Sequence, residues 1–289
     1  MGCLDDFAAP CALAAAMKRS VQEALQEPTS ASTPIAWTEP HGHTWQRPEN
    51  VLFVLDYDDT ILPTTWLASK MWFRTWIFDK GPLDQMAGTA ADLEKLQELD
   101  AVATEFLRTM GGLGTPVCIT LAQRSWVEES MKAFLPQLAQ LWEEMGVDVH
   151  YATEEYVTSI TRQGHWCTKP SGHSQLEGTV LELQQRCIKK RKVMQRVLRR
   201  FNLKNGNVWL NAVSLGDGLA ERNALQEISL HHQNPPDPVT GEIPIFRVKT
   251  IQMLEEPLIH ELQSQLKVLR GWLRPLVNWA QDLDTVLGD

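Results

Sequence analysis

The sequence predicts an α/β fold, a Rossmann-like three-layer sandwich around a mainly parallel sheet of five strands. Three observations predict it. Val51–Leu55 (VLFVL) is a short apolar run without alternation, the pattern of a strand buried on both faces, and such strands belong to parallel sheets covered by helices. Further runs of this kind alternate with segments whose apolar residues recur at helical spacing, so right-handed strand-helix-strand crossovers follow. Two of the runs end in carboxylates, where an open parallel sheet binds its ligands.

The elements follow in order. Residues 11–26 are good helix formers, whereas residues 27–50, rich in Pro, Ser, Thr and His, read as a linker. His41 and His43 in that linker read as solvated side chains rather than metal ligands. After the first strand, residues 61–78 are crowded with Trp66, Trp72, Phe73 and Trp76, read as rings packed on the sheet in preference to a flap. Residues 90–110 form an amphipathic helix through Leu93, Leu96, Leu99, Val102, Ala103, Phe106, Leu107 and Met110, ended by Gly111, Gly112 and Gly114.

Residues 116–121 (PVCITL) form the second strand, with Thr120 near its end. Residues 125–145 read as a helix broken at Pro136, and residues 147–151 as the third strand. Residues 153–178 are polar and read as a surface excursion, and their His165, Cys167 and His173 do not match the spacing of a zinc site. The helix over residues 180–201 carries Lys189 to Lys192, Arg196, Arg199 and Arg200, mostly a solvated face. Residues 207–216 form the fourth strand, followed by Asp217 and Glu221. Residues 245–249 form the fifth, after a proline-rich loop at 234–238. The tail, 254–287, reads as amphipathic helix with Leu258, Leu262, Leu266, Leu269 and Trp272 facing the core or a partner.

Composition sets limits. At 289 residues and 43% hydrophobic content the chain can bury one full core, with an N-terminal helix and flexible linker at 1–49, a core at 50–253 and a C-terminal helical extension at 254–289. A net charge of −9, from 36 acidic and 27 basic residues, argues against nucleic-acid binding through phosphate neutralisation. The five cysteines contain no C-x-x-C, which favours a reducing, cytoplasmic compartment. No apolar run approaches the ~20 residues of a transmembrane span. Met1-Gly2-Cys3 invites N-terminal acylation, but Asp6 stands where the myristoylation pattern takes Ser or Thr.

The chemistry begins at residues 56–60, DYDDT. Asp58, Asp59 and Thr60 can serve as turn formers and a helix cap. Alternatively, in D-x-D-x-T, Asp56 attacks while Asp58 handles protons, with Mg2+ between them. The second acidic strand end, at Asp217, converges on Asp56 if the first and fourth strands are neighbours. Thr120, at the end of the second strand, is a candidate phosphate donor.

Together, D-x-D-x-T at 56–60, a strand closing in Thr120, a lysine at a helix start and GDxxxE at 216–221 resemble the four motifs of the haloacid dehalogenase (HAD)-like hydrolase superfamily over residues 50 to 250. Within it, the chain is similar to a plant, algal and protist branch with a small cap. The resemblance implies a HAD-like core with sheet order 5-4-1-2-3. It makes Asp56 the nucleophile, Asp58 the general acid and base, and Thr120 the phosphoryl ligand. Mg2+ would be held by Asp56, the backbone carbonyl of Asp58 and Asp217, with Glu221 reaching it through water. The family's lysine falls on Lys190, because Val193, Met194, Val197 and Leu198 bury one helix side beneath it; Lys189 and Lys192 are alternatives. Glu221 departs from the family's frequent second aspartate. The short intervals 60–120 and 151–190 leave room only for a minimal cap, and an open site admits a phosphorylated protein. The expected function is a Mg2+-dependent phosphatase acting on a phosphate monoester. A catalytically silent scaffold and a phosphotransferase are the alternatives.

Overall fold

Six strands form one sheet: β1 (Val51–Leu55), β2 (Thr115–Thr120), β3 (Asp148–Tyr151), β4 (Asn211–Gly216), β5 (Arg247–Gln252) and β6 (Leu283–Val286). Their order is β3-β2-β1-β4-β5-β6, and every pairing is parallel. The computed structural model describes residues 45–86, 89–155 and 175–287. The helix read at 11–26, the Met1-Gly2-Cys3 terminus, His41 with His43, and His165, Cys167 and His173 lie outside them.

The sheet corrects the five-strand expectation. The tail, read as a helical extension, adds β6 to the edge of β5, with Lys249 opposite Leu283 and Gln252 opposite Val286. β6 escapes periodicity because it is four residues long and two of them, Asp284 and Thr285, are polar. Side chains anchor it instead: Asp284 accepts from Thr250 Oγ1 at 2.6 Å and from Arg222 Nε at 2.7 Å.

Buried β1 divides its side chains between two cores, as the period of two requires. Val51, Phe53 and Leu55 join the cluster containing helices α3 (Ala90–Gly111) and α8 (Ile259–Asn278). Leu52 and Val54 join the other, with Val193, Met194, Val197 and Leu198 of α6 (Gln175–Asn202) and Ala224, Leu225 and Ile228 of α7 (Leu219–His231). Helices therefore cover both faces. Leu262, Leu266, Leu269, Leu273 and Leu276 place α8 inside the first core, so the tail packs on its own chain. Gly114 lets β2 approach β1, since a Cβ there would lie 2.7 Å from the Val51 carbonyl oxygen.

The tryptophan-rich segment becomes α1 (Thr64–Ala68) and α2 (Met71–Asp79). Trp72, Phe73 and Trp76 are buried against Phe134, with the Trp76 and Phe134 ring centroids 4.5 Å apart, so these rings are packing. The break at Pro136 separates α4 (Trp126–Phe134) from α5 (Pro136–Met145). Buried Asp100 of α3 accepts from the amides of Gln137 and Leu138, both at 2.9 Å, capping α5 from a neighbouring helix. Among the described residues, no helix is long and apolar enough to cross a membrane.

Two predictions follow from the core's polar groups. Asp100→Ala orphans two helix amides and lowers unfolding free energy by about 2 kcal/mol; chemical denaturation measures it, and an unchanged midpoint would remove the cap's role. Lys249 of β5 is fully buried, with Nζ donating to Asn211 Oδ1 at 2.6 Å. Burial, then the charge of Arg247, pushes its ammonium from the ordinary 10.5 down to about 7. Across that window the unfolded chain holds a proton that the folded chain has released, so this residue's contribution to stability rises with pH and is at its least favourable below about 7. Lys249→Met flattens that rise, and parallel stability-versus-pH curves for the two proteins would contradict the buried, depressed lysine.

Candidate active site

The carboxyl ends of β1, β2 and β4, together with α6, enclose a cavity of about 820 Å3 lined by Asp56, Asp58, Thr120, Lys190, Asp217 and Glu221. The residues expected to act together are therefore brought together. Asp56 continues the β1–β4 ladder, its amide donating to Leu215 O at 2.9 Å, which fixes the direction of its side chain. Beyond it the chain reverses: the Tyr57 carbonyl accepts from the amides of Ile61 at 2.9 Å and Leu62 at 3.1 Å. Asp59 turns the corner with φ 53°, a left-handed conformation that Asp tolerates better than most residues. Its carboxylate accepts from the Thr65 amide at 2.9 Å and hydroxyl at 2.6 Å, which makes it the shaper of the turn.

Asp58 is held differently. Its Oδ1 accepts from Thr64 Oγ1 at 2.6 Å and from the Trp126 indole Nε1 at 2.8 Å. Burial raises its pKa, the bond from Thr64 opposes this, the charge of Asp56 adds to it, and the net shift is upward. A carboxyl that keeps its proton to higher pH suits general acid work. Buried Thr120 accepts the Ala122 amide at 3.0 Å on its Oγ1, which leaves its hydroxyl proton free to donate.

Of the three lysines, Lys190 is the one delivered to the site. It is 1% exposed, and its Nζ lies 2.8 Å from Asp56 Oδ1. Val193, Met194, Val197 and Leu198 are buried on the same helix side, as their spacing required. Lys189 lines the cavity wall and Lys192 is exposed. Lys190 also pairs with Oε1 of buried Glu221, a placement the sequence did not disclose. Gly216 makes room for it, because a Cβ there would fall 2.8 Å from Glu221 Cγ. Asp217 is tied to the first loop by Thr60, whose Oγ1 accepts the Asp217 amide at 3.0 Å and donates to Oδ1 at 3.4 Å. Burial, then Asp56 and Asp59, push the Asp217 carboxyl up to about 7 against the opposing charge of Lys190.

The donor set fits a hard cation with sparse protein ligation. Among the described residues, no three His, Cys, Asp or Glu side chains gather closely enough to hold a metal by themselves. Mg2+ does not need three, since it retains waters and is commonly bound by one or two carboxylates plus substrate oxygens. Asp56 Oδ1 is buried and, despite the nearby ammonium, has no partner in hydrogen-bond geometry. Burial, and after it the charges of Asp56 and Asp59, raise Asp217, so a cation shared between these carboxylates would relieve the repulsive part. Scans against protein-family models, curated proteins and solved structures give no match.

Besides the pairing of Glu221 with Lys190, three partners went unread in the sequence: Thr60 on Asp217, and Thr64 and Trp126 on Asp58. Thr60 lies inside D-x-D-x-T, which offered a signal. Trp126 lies 68 residues from Asp58, and no spacing rule links them.

A cation held by Asp217 requires its carboxylate, so if the site takes Mg2+ the affinity is expected to fall by about tenfold per pH unit below about 7 and to level off above it. Calorimetric titration from pH 5.5 to 8.5 checks this, with a pH-independent affinity as the contrary result.

Proposed function

We propose that the chain is a Mg2+-dependent phosphatase that hydrolyses a phosphate monoester through an aspartyl-phosphate on Asp56. The observation that supports this best is convergence: a nucleophile, an acid with a raised pKa, a free hydroxyl, a buried ammonium and a second carboxylate meet in one cavity from four separate elements. In the first step an Asp56 oxygen bonds to phosphorus as the ester P–O bond breaks, and Asp58 gives its proton to the departing oxygen. In the second, Asp58, now a carboxylate, takes a proton from water as the water oxygen attacks phosphorus. Phosphate leaves and Asp56 is restored. Thr120 donates to a phosphoryl oxygen, and Lys190 offsets the added negative charge. Bound by Asp56, Asp217 and the Asp58 carbonyl, Mg2+ would supply neutralisation of phosphoryl charge.

The substrate class we favour is a phosphorylated protein side chain. Between β1 and β2 the chain forms α1, α2 and α3, with α2 and α3 packed into the first core, and among the described residues of this interval no inserted domain stands over the cavity. The free thiols Cys118 and Cys187 suit a cytoplasmic setting.

With an aryl phosphate, Asp56→Asn lowers kcat by more than about 10³-fold, and chelation of Mg2+ removes turnover in the wild type. Metal-independent turnover, or turnover that survives the substitution, would sink the mechanism. A panel of phosphopeptides and phosphorylated metabolites, with Asp56→Asn as blank, then tests the substrate class: preference for metabolites overturns the protein-substrate part alone.

A further inference from the structure

Asp58 receives two hydrogen bonds, and both fall on the same oxygen. Thr64 Oγ1 and Trp126 Nε1 donate to Oδ1, while among the described residues no bond reaches Oδ2. Oδ2 is also not among the buried atoms left without a partner, so it is not sealed in the interior, and Asp58 lines the cavity. A carboxyl oxygen that already accepts two donors is a poor place for a proton, because a third hydrogen would face the two it receives.

Trp126 is itself braced on two sides. Its ring meets Phe73 edge-on, with centroids 6.3 Å apart and planes at 80°, and Phe73 stacks on Trp76. Its carbonyl accepts from Ser130 Oγ at 2.5 Å, and that hydroxyl lies 2.8 Å from the buried Tyr57 hydroxyl. Since Ser130 spends its proton on the carbonyl, Tyr57 donates to Ser130. The residue between the two reactive aspartates is thus bonded to Ser130 of α4, the helix whose Trp126 indole returns to Asp58.

We propose that Trp126, with Thr64, is a positioning residue that assigns the proton of Asp58 to Oδ2 and aims it at the leaving oxygen; this rests on the phosphatase reading above. The aromatic cluster of α2 and α4 then has a second task besides packing. It holds the indole at the distance that selects the proton-bearing oxygen.

The signature is dependence on the leaving group, because an ester with a poor leaving group needs the proton and an activated one needs it little. The test is kcat/KM over a series of aryl and alkyl phosphates for the wild type, Trp126→Phe and Thr64→Val. Trp126→Phe keeps a ring against Phe73 and removes the donor. The expected loss is graded, about 3-fold for a nitrophenyl ester and about 10²-fold for an alkyl ester, in the same direction as Asp58→Asn. An equal loss across the series, or none, overturns the proposal. If Trp126→Phe does not fold, Thr64→Val carries the test, since it removes the other donor to the same oxygen without touching the aromatic cluster. A wild type without Asp56-dependent turnover overturns the phosphatase reading instead. The 15N-labelled Trp126 indole resonance separates the two failures without any turnover: it moves on Asp58→Asn if the hydrogen bond positions the acid, and a resonance indifferent to that substitution overturns the positioning claim.

Discussion

One buried ammonium holds the functional end of the sheet together. Asp56, Asp58, Asp59, Asp217 and Glu221 crowd the ends of β1 and β4, and burial first, with neighbouring carboxylates adding to it, raises the carboxyls of Asp58, Asp59 and Asp217. Lys190 is the cation set among them, paired with Asp56 and Glu221. Burying such a group is costly, and removing one partner of a buried pair costs about 3–5 kcal/mol because it strands the other. Much of the surrounding design follows from that arrangement. The apolar side of α6 seats Lys190 beneath the cavity, Gly216 clears space for Glu221, and Thr60 ties the two acidic loops across the sheet.

The two aspartates of D-x-D differ because their neighbours differ. Asp56 stands in the continued β1–β4 ladder, faces a lysine and keeps an oxygen free of hydrogen bonds. Asp58, two residues on, has left the ladder and answers to a threonine and an indole. The first arrangement leaves a buried oxygen without a hydrogen bond; the second loads one oxygen of Asp58 with two. Asp59 serves neither end, since Thr65 occupies both of its oxygens.

What the sequence disclosed and what it hid divide along physical lines. β1, α3 and the break at Pro136 were legible because burial imposes a period on long segments. Lys190 was legible for the same reason: the buried positions three, four, seven and eight residues on determine which way it points. β6 was not, because an edge strand of four residues held by Arg222 and Thr250 leaves no apolar pattern. The pairing of Glu221 with Lys190 was hidden because an acid at that spacing is equally compatible with a water-mediated metal contact. Trp126 was hidden because its contact spans helices, and tryptophan in a helix reads first as packing. Motif spacing thus reports groups on one strand end, whereas the groups that orient them come from elsewhere in the chain.

The link between Thr60 and Asp217 spans 157 residues. Contacts of such separation close late, because loop entropy must be met before they contribute. A nascent or partly folded chain therefore carries Asp56 without its opposing lysine, its second carboxylate or its neighbouring strand. The cavity at the ends of β1 and β4 is complete only when the central pairing of β1 with β4 is made. On the phosphatase reading proposed above, reactivity would then be a readout of finished folding, and incomplete molecules would stay inert toward phosphate esters.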